Sequence, residues 1–283
     1  MKKGILLVLS LVLAFALAAC GKKEENSGSN AAPGASQSGA PSNTASGKLA
    51  DIKKAGKIVL GTSAEYAPYE FHKMIDGKDQ IVGFDIEIAK AIAADMGVEL
   101  EIKDMQFDNL LTELKLGKID FVLAGMTPDE DRRKSVDFSK NYYEAKQAVF
   151  VRAEDKDKFK TMADLEGKSI GVQMGSTQEK IAKGIKDAKV KSLGKTTELV
   201  LELKSKKVDA LIVELPVAQG YVNKNPDLAL TDVVPEYQDG GSAVAVNKGE
   251  ADLLAEIQNS LDRLMAEKTI DKWVAEMTEL ADK

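Results

Sequence analysis

Arg132 carries the most definite chemistry in this chain, because a guanidinium is always charged and its planar fork of donors can hold a carboxylate by two parallel hydrogen bonds. It ends the run Ala124-Gly125-Met126-Thr127-Pro128-Asp129-Glu130-Asp131-Arg132. There Thr127 is placed to cap a helix, Pro128 suits the first helical position, where an N–H has no intrahelical partner, and Glu130 completes a capping box. The apolar stretch Ile119 to Ala124 in front of it reads as a buried strand. A strand that ends where a helix begins points free N–H groups and the positive end of the helix dipole beyond the strand, a seat for an anion. Ser176 and Glu179 form a second capping box behind the strand Ser169 to Gln173. A plainer arrangement also fits, in which Thr127 and Glu130 only cap and Arg132 pairs with Asp129 or Asp131 on a solvated surface.

The elements that must position these groups alternate between two periodicities. Lys57 to Leu60, Val98 to Ile102, Val190 to Leu193, Asp209 to Val213 and Ser242 to Asn247 read as strands, and Asp76-Gly77 marks a hairpin turn. Phe84, Ile88, Ile92 and Met96 give one apolar helical face, closed by Gly97. Leu110, Leu111 and Leu114 face inward on a short helix from Phe107 that ends at Gly117. Strand and helix in turn imply an α/β fold with a mainly parallel sheet, and the rhythm restarts after Tyr143. The chain finishes with two amphipathic helices, and Trp273 lies on the apolar face of the last.

The N-terminus has a different character. Lys2-Lys3, the apolar run Ile5 to Ala18 and the small residues that follow read as a signal peptide over residues 1–19, because the run is too short to span a bilayer. Leu17-Ala18-Ala19-Cys20 resembles a bacterial lipobox, which implies a diacylglyceryl group on Cys20 and anchorage to the outer face of the cell membrane. Residues 20–48 then form a linker rich in Gly, Ser, Ala, Asn and Pro, too polar to bury a core. With Cys20 acylated, no thiol remains for a disulfide. Loss of Lys2 and Lys3 moves the formal charge from -6 to -8, an acidic balance that argues against nucleic acid as a partner.

Several motifs in order carry a resemblance: Gly61-Thr62-Ser63 with Tyr66 and Pro68, Val82-Gly83-Phe84-Asp85, Lys118-Ile119-Asp120, Ala124-Gly125-Met126-Thr127 with Arg132, Val136-Asp137-Phe138-Ser139, Gly171-Val172-Gln173 with Gly175 and Thr177, and Val208-Asp209-Ala210. From Lys57 to about Trp273 the chain resembles the amino-acid-binding lipoproteins of ABC importers, solute-binding proteins of family 3 with a type II periplasmic-binding-like fold. The resemblance implies two α/β lobes joined by two crossing hinge strands, one of residues 49–141 plus 240–283 and one of residues 147–235. The lobes of such proteins close on ligand by a hinge motion.

It further implies that Arg132 binds a ligand α-carboxylate, helped by the N–H groups of Thr127 and Thr177. The amine would meet the Gly125 carbonyl, the Thr127 hydroxyl and Glu214, which stands where the commonest pattern has aspartate. Tyr66, Tyr69 and Phe107 would wall the ligand side chain, and Ser63, Glu65 and Gln173 would offer polar contacts; the aromatics also fit plain core packing and Glu65 a solvated loop. The implied function is capture of a free polar or basic L-amino acid, arginine or lysine before glutamine, for the membrane permease and ATPase of an ABC importer. A monomer without cofactor, metal or catalytic residue is expected. Two alternatives stand beside it: an amino-acid sensor for a membrane receptor, with the same ligand chemistry, and a dehydratase-like enzyme on the same fold, which would need a titratable group at the reacting atom.

Overall fold

The computed structural model of the chain describes residues 47–144, 146–237 and 240–283. The expected signal peptide, Cys20 and nearly all of the linker lie outside these. In the first half, α1 (Lys48–Ala55) leads into β1 (Lys57–Thr62), the short β2 (Glu65–Tyr66), the hairpin β3 (Glu70–Ile75) and β4 (Lys78–Val82), α2 (Phe84–Met96) and β5 (Glu99–Asp104). After a 3-10 turn come α3 (Leu110–Lys115), β6 (Phe121–Val122), α4 (Glu130–Arg133) and β7 (Val136–Phe138). The second half begins with β8 (Gln147–Arg152) and continues through β9 (Ser169–Gln173), α5 (Thr177–Lys183), β10 (Lys189–Leu193), α6 (Thr196–Lys204), β11 (Ala210–Glu214), α7 (Leu215–Lys224) and β12 (Leu228–Leu230). Then β13 (Ala245–Asn247), α8 (Ala251–Ala266) and α9 (Thr269–Asp282) complete the chain.

These strands make two open five-stranded sheets and one small flap sheet, β2-β3-β4. The first large sheet has the order β5-β1-β6-β13-β7, so a strand from the end of the chain sits among strands from its beginning. β1 runs parallel to β5 from Lys57 opposite Glu99 to Thr62 opposite Asp104, while β13 is antiparallel to both neighbours. The second has the order β10-β9-β11-β8-β12, with β9 parallel to β10 and β11. Each large sheet is the spine of one lobe. Two chain segments cross between the lobes and pair where Tyr143 meets Ser242, with Ser242 N–H to the Tyr143 carbonyl at 2.8 Å and Tyr142 N–H to the Ser242 carbonyl at 2.9 Å.

Apolar periodicity accounts for the packing. Phe84, Ile88, Ile92 and Met96 of α2 are buried against β1 and α8, and Gly97 in the left-handed conformation ends that helix by donating to the carbonyls of Ala93 and Ala94. Asp76 and Gly77, both at positive φ, make the tight hairpin that their sequence announces. Trp273 packs half-buried against the core that includes α2 and α8.

The structure corrects the sequence at several points. The strand expected over Ile119 to Ala124 is shorter, Phe121–Val122, although Asp120 and Leu123 N–H still bond the β1 carbonyls of Val59 and Gly61, and Gly125 at φ 56 turns the chain beyond it. Thr127 does not cap the following helix: the helix begins at Glu130 and Asp129 caps it, its carboxylate accepting from Arg132 N–H at 2.9 Å. Lys48 belongs to α1 rather than to the linker, and its ammonium meets Asp120 at 2.5 Å. Helix α1 and strand β12 have no counterpart among the sequence expectations.

Candidate functional site

Gly125 fixes the first wall of the cleft. Its positive φ lets the chain leave β6 beneath Tyr69, where a Cβ would come within 3.3 Å of the ring. Its N–H donates to Asp85 Oδ2 at 2.9 Å, and Tyr142 of a crossing segment donates to the same oxygen at 2.8 Å. Asp85, fully buried at the start of α2, thus ties the Gly125 turn to the hinge. Burial pushes its carboxyl up to about 6 despite these bonds. Glu70 is equally buried and is pushed up as well, first by desolvation and then by the neighbouring Asp85. Neither acid was identified from the sequence as a site residue, although Asp85 lies in the Val82-Gly83-Phe84-Asp85 motif.

Arg132 is only 8% exposed and is therefore not a surface ion-pair residue. Its Nη1 donates to the Thr127 carbonyl at 2.7 Å, and its Nη2 crosses to the Gly175 carbonyl of the other lobe at 2.9 Å. Asp129 stands nearby, 3.7 Å from Nε, and the guanidinium carbon lies 5.3 Å above the Phe107 ring. Burial lowers the pKa of Arg132, with Asp129 acting the other way.

The second lobe contributes the start of α5. Ser176 caps it by accepting from Glu179 N–H at 3.2 Å, as expected, while the Glu179 carboxylate accepts from Gly175 N–H at 2.8 Å, one residue before the cap. Tyr66, Phe107, Gly125, Thr127 and Arg132 from the first lobe and Gln173 and Thr177 from the second converge on one cavity. The space between them is about 10 Å³, room for about one water.

Four expected residues, Ser63, Glu65, Tyr69 and Glu214, lie outside that cavity. Ser63 and Glu65 line a neighbouring polar cavity of about 170 Å³ with Asp104 and Lys195. The Glu65 carboxylate is not a free loop charge: Lys195 reaches it at 2.8 Å and the Thr197 hydroxyl at 2.9 Å, both from across the cleft. Glu214, buried at the end of β11, accepts from the Tyr69 hydroxyl, and its N–H donates to the Tyr66 hydroxyl at 3.0 Å. Desolvation pushes its carboxyl up to about 8, partly opposed by the Tyr69 bond. Tyr69 is therefore a partner of Glu214 within the core rather than a cavity wall. A larger, mostly apolar hollow of about 320 Å³ beside the cleft, between Phe71 and the α7 residues Val217 and Tyr221, takes only Glu65 from the expected set.

Among the described residues no cluster of His, Cys, Asp or Glu has the arrangement of a metal site, and no helix is long and apolar enough to cross a membrane. The arrangement as a whole can grip an anion at Arg132 and a small polar molecule between two lobes. The chain is 38% identical over 282 residues to the arginine-binding extracellular protein ArtP of Bacillus subtilis strain 168, covering 96% of this chain and 98% of that one. It is 35% identical to ABC transporter arginine-binding protein 1 of Escherichia coli K12, over 77% of this chain and 89% of that one. Its structure resembles that of the amino acid ABC transporter substrate-binding protein AbpA of Streptococcus pneumoniae bound to L-arginine, with a TM-score of 0.80, 40% identity, and 82% and 99% of the two chains covered. Residues 58–277 match the family model of bacterial extracellular solute-binding proteins, family 3, and the chain belongs to that family.

Proposed function

We propose that this protein captures a free polar or basic L-amino acid, arginine foremost, between its lobes and delivers it to the permease and ATPase of an ABC importer. The observation that carries this is the buried Arg132 guanidinium, whose two Nη groups bond carbonyls on opposite sides of the cleft. When the lobes part, Nη2 leaves Gly175, and a ligand carboxylate takes the fork by two charge-assisted bonds. Closure then adds the Thr177 N–H from the second lobe. The α-ammonium meets the Gly125 carbonyl, the Thr127 hydroxyl and Glu214, which must exchange its Tyr69 bond and its proton for the cation.

Phe107 and Tyr66 cover the aliphatic and guanidinium parts of the side chain, with Gln173 as a polar contact. A cationic side chain that reaches beyond them competes with Lys195 for Glu65, and the hydroxyl of Ser63 lies in the same polar cavity. The names of the arginine-binding relatives agree with a basic ligand. We further assign to Cys20 a lipid anchor on the extracytoplasmic face, and to the protein a monomeric state. Glu214, a buried carboxyl held by Tyr69, has the role of facing an ammonium, and the family's description as solute-binding proteins supports binding rather than catalysis.

A thermal-shift screen of the protein against all twenty amino acids tests the ligand class, because a molecule that binds only the folded state raises the melting temperature. Arginine should give the largest shift. A largest shift from leucine or glutamate, with none from arginine, lysine, histidine or glutamine, contradicts the assignment.

A further inference from the structure

Lys180, in α5 of the second lobe, crosses the cleft to two acids of the first. Its Nζ lies 2.9 Å from Asp129 Oδ2 and 3.0 Å from Asp131 Oδ2. The two acids are unlike. The Asp131 side chain is 69% exposed and already has Lys134 at 2.8 Å. That of Asp129 is 3% exposed; its Oδ1 caps α4 at Arg132 N–H, and its Oδ2 lies 3.7 Å from Arg132 Nε. A buried carboxylate thus stands between two cations, one from each lobe. Without Lys180, Asp129 and Arg132 neutralise each other, and a carboxylate held in the closed cleft faces a guanidinium whose charge is already matched. With Lys180 in place the three groups carry one net positive charge.

We propose that Lys180 is a positioning residue for ligand capture: it latches the second lobe onto Asp129 and, by neutralising that carboxylate, leaves the Arg132 charge for the ligand carboxylate. This rests on the assignment of Arg132 to the carboxylate. The latch holds the lobes closed, so its effect falls on release more than on association. Lys180 is partly exposed, so the effect is weakened by salt. Asp129 keeps its capping role as asparagine, which makes Asp129→Asn a usable background.

L-Arginine is titrated into the wild type, Lys180→Met, Lys180→Arg, Asp129→Asn and the Asp129→Asn/Lys180→Met double variant, at about 20 mM and about 500 mM NaCl. Lys180→Met should weaken binding about tenfold at low salt, through faster dissociation, and have little effect at high salt. Lys180→Arg should stay within about threefold of the wild type, and Lys180→Met should change affinity by less than about twofold in the Asp129→Asn background. A purely structural role would lower the melting temperature without altering the salt dependence. Lys180→Met affinity within about twofold of the wild type at low salt, or an equal loss with Asp129 already replaced, overturns the proposal. If the wild type binds no L-arginine, the proposed ligand fails separately, and small-angle X-ray scattering of the ligand-free protein decides on the latch. A larger radius of gyration for Lys180→Met than for the wild type at low salt supports it, and equal radii overturn it.

Discussion

Tyr69 of the first lobe donates its hydroxyl to the Glu214 carboxyl of the second, so the cleft is bridged by a hydrogen bond between two fully buried side chains. Among the described residues no cation offsets the burial of Glu214, and desolvation raises its pKa from 4.5 to about 8. The folded protein therefore holds that proton more tightly than the unfolded chain does. Stability from this group is complete below about pH 4.5 and is lost as the pH rises to about 8. Asp85 and Glu70, also raised, act in the same direction. The melting temperature of the ligand-free protein should fall between pH 5 and pH 8.5, with Glu214 accounting for on the order of 4 kcal/mol. Glu214→Gln should flatten much of that slope. A wild-type profile that rises across this window contradicts the assignment of buried, protonated acids.

The same proton reports on the ligand. If the α-ammonium docks on Glu214, the carboxyl must ionise, so binding at neutral pH should release up to about one proton. Calorimetry in two buffers of different ionisation enthalpy measures this directly. Identical binding enthalpies in both would remove Glu214 from the amine site.

Gly83 lies at φ 138, and a Cβ there would stand 2.0 Å from the Tyr69 carbonyl oxygen. That close approach seats Tyr69 and lets Asp85 N–H donate to the same carbonyl at 3.0 Å. Gly83→Ala should destabilise the protein by about 3 kcal/mol or more, since it combines backbone strain with displacement of a buried cluster. Denaturant titration checks it, and a midpoint equal to that of the wild type would show that the approach is easily relaxed.

Much of this architecture was legible because it rests on local rules. Asp76-Gly77 demanded a tight hairpin, Gly97 a helix end, and the four-residue spacing from Phe84 a buried face, and each depends on neighbours in sequence. The cap at Asp129 was misplaced by two residues because Thr127 satisfies the same local pattern, and residue type and spacing alone do not separate them. Glu70, Asp85 and the engagement of Glu65 were out of reach for a different reason. Whether a carboxylate is buried, lies beside another acid or meets Lys195 depends on partners brought together by folding, and residue type and spacing do not record that.

Phe107 presents its ring to Arg132. In the proposed binding mode Phe107 also covers the ligand side chain, so Phe107→Leu, which keeps apolar bulk and loses the π face, should weaken binding of arginine by about 0.5–2 kcal/mol more than that of an aliphatic amino acid. Equal losses for both ligands, measured by calorimetry, would assign Phe107 to packing alone.

The central claim is that Arg132 holds the carboxylate of a free amino acid with both arms of its fork. Calorimetric titration of L-arginine into the wild type and into Arg132→Lys tests it most directly, because lysine keeps the charge and loses the paired geometry. The wild type should bind one arginine per chain, and Arg132→Lys should lose about 1.5–3 kcal/mol of that affinity with the fold intact by circular dichroism. Unchanged affinity in Arg132→Lys would contradict the account.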